Sequence, residues 1–265
     1  MKADGYLTFQ FCAWVLGAVL SCANGWGQAI TNATPGATSA PGFAFKQIGP
    51  GVFQFGTVTL DKSRRSVSWP ISINMRTGVV EYAVVTAAGK THESVFRTSS
   101  EPKDVHAALL LLGVTPAGTN QFPAELTTPI PGEPVGIEVS WKESGKEVRR
   151  PMESFVVTIT NGAGLNPGPW TYNGSHFSEG SFAAQRDGSI ISVHIDPGAL
   201  INNPRPGREN DDLHYVNSAA LPAADPPMEV TVRLLKEPVR SSRRWPPASL
   251  SQPGLLPAPP PAAGR

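Results

Sequence analysis

The chain has 265 residues, is 40% hydrophobic and 16% charged, and carries a formal net charge of +1. That length allows one large domain or two small ones, with core enough to fold without staples. The near-neutral balance leaves no electrostatic footprint for nucleic acid or for an acidic membrane surface, so neither is expected as a partner.

At the N-terminus Lys2 precedes an apolar run from Phe9 to Leu20. A run of about a dozen residues is too short to cross a hydrocarbon core of roughly 30 Å as a helix. It suits the central region of a secretory signal, with residues 1–29 removed after Ala29; a buried N-terminal helix is the competing reading. Residues 19–22 (Val-Leu-Ser-Cys) approximate a bacterial lipobox, in which Cys22 would be acylated, although Leu20 is bulkier than the residue usual there. One acyl chain binds membrane only marginally, so a lipoprotein would need further acylation. Membrane contact is expected only through such a lipid. The two cysteines are Cys12 and Cys22. A domain cleaved after Ala29 therefore has no thiol, which excludes disulfides, a thiolate nucleophile and iron–sulfur ligation from it.

Residues 30–46 are rich in Thr, Ala, Pro, Gly and Ser and read as a flexible spacer. Residues 47–237 carry the patterns of strands. Period-two or β-branched runs occur at Val52–Leu60, Ser66–Asn74, Val79–Thr86, Val135–Lys142, Phe155–Thr160, Ser189–Ile195 and Met228–Leu235. Asp61–Arg65 and Lys142–Glu147 read as hairpin loops. One long helical signal stands out, Ser99–Gly113, with a serine cap, Pro102 in the first turn and Gly113 as the stop. Its Val105, Leu109 and Leu112 share a face. A short helical turn is expected at Pro197–Ile201. Residues 238–265 end in Pro-Gly-Leu-Leu-Pro-Ala-Pro-Pro-Pro-Ala-Ala-Gly-Arg and read as a disordered proline-rich tail. The fold class these elements predict is α+β and β-rich, with mainly antiparallel strands and one principal helix packed on the sheet.

The densest chemistry lies in Ala87–Thr98, where Lys90, His92, Glu93 and Ser94 follow a glycine turn. If Thr91–Phe96 is regular strand, His92 and Glu93 point to opposite faces and cannot grip one ion, unless a loop at Gly89–Lys90 bends them together. The zincin pattern needs a second histidine where Phe96 stands, and Ser94 lacks the flanking glycines of a nucleophile elbow. His106, on the helix, is the candidate partner of His92. Six strand residues span on the order of 20 Å and one helical turn recovers roughly 6 Å, so only a bent crossing would join the imidazoles. A metal set of His92, Glu93 and His106 would suit zinc, whose bound water could act as nucleophile. The plainer reading makes His92 a strand-entry residue and His106 a helix–sheet boundary residue. Glu209, Asp211, Asp212 and His214 form a second polar run without the spacing of a calcium loop, and read as a solvated acidic turn. Trp170, Tyr172 and Phe177 serve either core packing or a pocket wall. Asn173–Ser175 is a glycosylation sequon, relevant only in a eukaryotic secretory pathway.

The stretches Gly-Lys-Thr-His-Glu-Ser-Val-Phe-Arg-Thr and Asp-Val-His-Ala-Ala-Leu-Leu-Leu-Leu-Gly, with Trp170–Phe177, Ala183–Asn202, Asn210–Asn217 and Met228–Leu235, resemble the YdjY domain. This is a bacterial family of mostly uncharacterised exported proteins. The resemblance spans about Gln47 to Leu235 and implies a common purpose for Lys90, His92, Glu93, Ser94 and His106, but no activity. Some proteins with this domain name are described as carrying an iron–sulfur cluster; without cysteines after Ala29, that role does not transfer.

Two functions are compatible with these readings. One is a non-enzymatic envelope module that binds a small ligand or a partner protein, secreted, periplasmic or held as an outer-membrane lipoprotein. The other is a metal-binding protein or metal-dependent hydrolase built on His92 and Glu93 with His106.

Overall fold

The computed structural model describes residues 45–117, 121–123, 127–160 and 162–235. The expectations for residues 1–29, for Cys22, for most of the spacer and for 238–265 lie outside these described residues.

The described residues begin with an antiparallel meander, β1 (Phe45–Gly49), β2 (Val52–Phe55), β3 (Val58–Asp61) and β4 (Ser66–Ile73). The run expected as one strand, Val52–Leu60, is thus a hairpin, broken at Gly56, whose φ of 54° lies in the left-handed region. The β3–β4 turn falls where expected. The Asp61 carboxylate fixes it, accepting from the backbone N–H of Ser63 (2.9 Å) and of Arg64 (3.0 Å). Next come β5 (Tyr82–Thr86), β6 (Ser94–Thr98), α1 (Pro102–Leu112), and the hairpin β7 (Glu133–Glu143) and β8 (Lys146–Pro151). They are followed by β9 (Val156–Thr158), β10 (Trp170–Tyr172), the hairpin β11 (Phe177–Ser178) and β12 (Ser181–Phe182), and α2 (Ala183–Asp187). The last strands are β13 (Ser189–Ser192), β14 (Ile201–Asn202), β15 (His214–Val216) and β16 (Met228–Leu234).

The expected α+β class, a principal helix laid on a sheet, is overturned. The strands β4-β16-β7-β10-β14-β13-β5-β6 are hydrogen-bonded in that order, and β6 pairs back onto β4, which closes an eight-strand barrel. Closure rests on two register pairs, Ser72↔Arg97 and Ile73↔Phe96. Two strands divide their outer edges. β4 pairs with β3 through Ser66–Ser68 and with β6 through Ser72–Ile73. β7 pairs with β10 through Glu133–Val135 and with β8 through Glu138–Glu143. β1–β3 and β8 therefore peel away from the ring as two flaps. Pairs β13–β14 and β5–β6 are parallel and the other six ring pairs antiparallel.

Register explains the core. Val67–Val232–Ile137, Trp69–Val230–Val139 and Ile71–Met228–Trp141 form three rows across β4, β16 and β7, and all nine side chains are buried. Alternation with period two places them on one face, and each contributes roughly 1.5–3 kcal/mol by leaving water. Phe155 closes on this core, its ring 5.1 Å from Phe96 and 6.3 Å from Trp141. Helix α1 touches β2, β3, β4 and α2, burying Val105, Ala108 and Leu109. Gly113 ends it in the left-handed conformation, donating to the carbonyls of Leu109 and Leu110. The helix cap is Glu101 rather than a serine; Ser100 instead shares a 2.7 Å hydrogen bond with Thr57.

Candidate functional site

The segment Val79–Tyr82, leading into β5, is where three distant stretches meet. The N–H of Glu81 donates to the carbonyl of Glu93 (2.9 Å), and the Glu81 carbonyl accepts from the N–H groups of Val193 (2.7 Å) and His194 (2.8 Å). The N–H of Val80 donates to the carbonyl of His214 (2.9 Å), and Val79 bridges Tyr215. These backbone bonds gather Lys90–Glu93, His194–Asp196 and Asp211–His214 around one rim.

Thr91–Glu93 is a single 3₁₀ turn, and β6 begins only at Ser94. The turn cancels the opposite-face geometry of a strand. His92 Nε2 lies 3.6 Å from Glu93 Oε2, and Lys90 Nζ lies 3.8 Å from Glu93 Oε1. The His92 side chain is 78% exposed. Two glycines position this turn. A Cβ on Gly188, whose φ is 69°, would stand 2.9 Å from the Cα of Gly89, and one on Gly89 would stand 3.1 Å from the Gly188 carbonyl. Only with both positions bare can the Ala87–Lys90 turn rest on the α2–β13 joint.

Lys90 reaches across to donate to the Tyr82 hydroxyl (2.8 Å), which donates to Asp196 Oδ2 (3.0 Å). Burial, then the adjacent Asp196 carboxylate, hold the Tyr82 hydroxyl protonated well above the ordinary phenol range. Burial and the nearby Glu93 carboxylate raise the Glu81 carboxyl; Asp211 adds to this, while His194 and Lys90 oppose it. Burial lowers His214, with His194 reinforcing and Glu209 opposing the shift. His214 is 1% exposed, and its Nε2, like Nδ1 of His194, has no hydrogen-bond partner among the described residues.

Two other candidates do other work. Ser94 is fully buried and donates to the Phe96 carbonyl (2.8 Å), which spends its hydroxyl on the strand. His106 sits on α1 with Nδ1 2.8 Å from the Tyr172 hydroxyl and its ring 4.9 Å from that of Phe182. Burial lowers its pKa to about 4. The structure thus joins Lys90, His92 and Glu93 but engages His106 elsewhere. Among the described residues, no three His, Cys, Asp or Glu side chains gather closely enough to hold a metal ion. Glu209, Asp211 and Asp212 are exposed, whereas His214 is built into β15.

Behind the rim lies a buried polar network that sequence reasoning missed. Asn202 donates to Asn173 Oδ1 and to the Asp196 carbonyl, both at 2.8 Å, and accepts from the Asp196 N–H at 2.8 Å. Arg205 donates to the carbonyls of Asn166 (2.5 Å) and Gly168 (2.7 Å) and to Asn203 Oδ1 (3.1 Å). Its guanidinium stacks 5.2 Å from the Trp170 ring and lies 3.9 Å from Glu153. Glu153 accepts in turn from the Gly168 N–H (3.2 Å) and the Trp170 indole (3.3 Å). The one sequence signal was the pair Asn202-Asn203 directly after the apolar Ala199–Ile201. Asn173 is 1% exposed, so the sequon asparagine is a structural residue here.

The YdjY domain model matches residues 58–233, nearly the whole described body. No curated protein and no solved structure matches the chain. The stretches that meet at the rim and at α1 are those in which the resemblance was read, and the chain belongs to the YdjY domain family.

Proposed function

We propose that this chain is an exported protein of the bacterial envelope that binds a ligand or partner without transforming it, through the rim around Glu81, Lys90, Glu93 and Asp196. The observation that carries this reading is the convergence of three polar stretches, distant in sequence, on the start of β5. The reactive groups there are engaged in positioning. Ser94 is bonded to backbone, Tyr82 is held as a neutral phenol between Lys90 and Asp196, and His92 stands in solvent beside Glu93. A rim of mixed charge and fixed hydrogen-bonding groups suits recognition of a polar surface.

A thermal-shift panel of sugars, amino acids, nucleotides and divalent cations, each at millimolar concentration, tests the reading. At least one class should raise the melting temperature, and the double variant Lys90→Ala/Glu93→Gln should lose that gain. Turnover of ester, phosphate or peptide substrates that disappears on His92→Ala would overturn it. The export part is checked in the native cell, where mass spectrometry of the envelope fraction should find a chain starting at Ile30 or at acylated Cys22. Intact Met1 in the cytosol would remove that part.

A further inference from the structure

Strand β7 changes its outer neighbour part-way along, and the change leaves one backbone donor unsatisfied. Its ladder with β10 ends at Val135↔Trp170, and its ladder with β8 ends at Glu138↔Pro151. The β7–β8 turn has Ser144 at φ 50° and Gly145 at φ 79°. In this two-residue form the flanking pair, Glu143 and Lys146, exchanges both backbone bonds. Alternation along the strand then points the N–H groups of Val139, Ile137 and Val135 to the same outer edge. Continued in register, the two ladders would offer Ile137 either Met152 or Gly168. Met152 instead opens a 3₁₀ turn, Met152–Phe155. Gly168 spends its N–H on Glu153 (3.2 Å) and its carbonyl on Arg205 (2.7 Å). Ile137 is 5% exposed, and its N–H has no partner among the described residues. A buried amide in that state calls for water or a ligand. The matching gap on β4 is closed from within. The residue facing it is Pro70, which has no N–H, and the Pro70 carbonyl accepts from the Thr98 hydroxyl (2.6 Å).

A cleft of about 400 Å³ lies at the β7 gap, with Ile137, Pro151, Pro169 and Leu235 as its apolar walls. That volume is in the range of small-molecule sites. The charged side chains lining it are Glu138, Glu153 and Arg233. Each carboxylate already faces an arginine: Glu138 accepts from Arg149 (2.9 Å), and Glu153 lies 3.9 Å from Arg205. Arg233, the cross-strand partner of Gly136, has no hydrogen-bond or ion-pair partner among the described residues. Two donors thus remain unspent at the cleft, one amide and one guanidinium. We propose that the cleft binds an organic carboxylate with a short apolar body. The carboxylate accepts from the Ile137 N–H and pairs with Arg233, and the body lies against Leu235, Pro151 and Pro169. The planar donors of a guanidinium match a flat carboxylate. A doubly charged phosphate is selected against, because its second charge would meet Glu138 and Glu153.

The test uses the full chain with ¹⁵N-labelled isoleucine and valine, the Ile137 amide identified as the isoleucine signal lost in Ile137→Val. Without ligand, the Ile137 N–H should exchange with solvent about tenfold faster than those of Val135 and Val139, which are paired to β10 and β8. Hexanoate or benzoate should shift the Ile137 signal downfield, saturably, and slow its exchange. Hexanamide, which keeps the body and lacks the charge, and inorganic phosphate should each bind about tenfold more weakly than hexanoate. Arg233→Gln should weaken hexanoate by a similar factor, with the remaining isoleucine signals unmoved as evidence of an intact fold. An Ile137 amide that exchanges as slowly as its two neighbours would overturn the proposal, as would indifference to both carboxylates. Equal binding of hexanamide or phosphate, or hexanoate binding that survives Arg233→Gln unchanged, would overturn it as well.

Discussion

The rim at the start of β5 and the network around Asn202 and Arg205 are both polar, yet they are satisfied in opposite ways. In the network Arg205 and Asn202 spend their donors on partners inside the protein, and the groups are withdrawn from water. At the rim the Glu93 carboxylate lies 3.6 Å from His92 and 3.8 Å from Lys90, His92 faces solvent, and two imidazole nitrogens have no hydrogen-bond partner among the described residues. Closed networks hold architecture. A site for recognition needs polar groups that are held in place but not consumed.

The largest effect should come from breaking the closed network. Arg205→Met strands the carbonyls of Asn166 and Gly168 and leaves Glu153 without its cation, and should cost about 3–5 kcal/mol in urea unfolding. Acid comes next. Burial keeps His106 and His214 neutral in the fold, His106 down to about 4 against 6.5 in the open chain. Between pH 6.5 and 4 the unfolded chain binds more protons, so stability should fall as pH drops through that window. The loss is up to about 3 kcal/mol for His106 before solvent screening reduces it. Glu81 and Asp104, whose carboxyls are raised chiefly by burial, work in the opposite direction at the acid end. Denaturant midpoints across the pH range, with His106→Gln flattening the curve, check this.

At the rim the same measurements should respond weakly. Tyr82→Phe removes the hydroxyl between Lys90 and Asp196 and should cost about 1–2 kcal/mol. Glu93→Gln should stay within about 0.5 kcal/mol. A Glu93→Gln variant as damaging as Arg205→Met would erase the distinction between the two regions.

What the sequence disclosed follows the range of the interactions. Period-two runs marked β4, β7 and β16, and Pro102 with Gly113 bracketed α1, because these signals are local. Ring closure rests on Ser72–Ile73 meeting Arg97–Phe96, a long-range pairing with no local trace. A single amphipathic helix beside apolar strands therefore read as a two-layer fold. Strands β5 and β13 are buried on both faces and so lack the alternation that would have marked one of them as the inner side of a wall. Lys90, His92 and Glu93 were found because they are adjacent in sequence. Tyr82, Asp196 and Arg205 were missed because each acquires its partner only when the ring closes. His106 was drawn toward His92 by chemistry, whereas folding gave it to Tyr172.

The division of β4 between β3 and β6 has a mechanical consequence. Tension applied at Phe45 acts on β1, which among the described strands pairs with β2 alone, and can strip that flap one hydrogen bond at a time. Tension applied at Leu234 acts on β16, which is clamped by β4 and β7 along its length and must slide past both at once. Under load the amino-terminal side should yield first, while the ring stays shut.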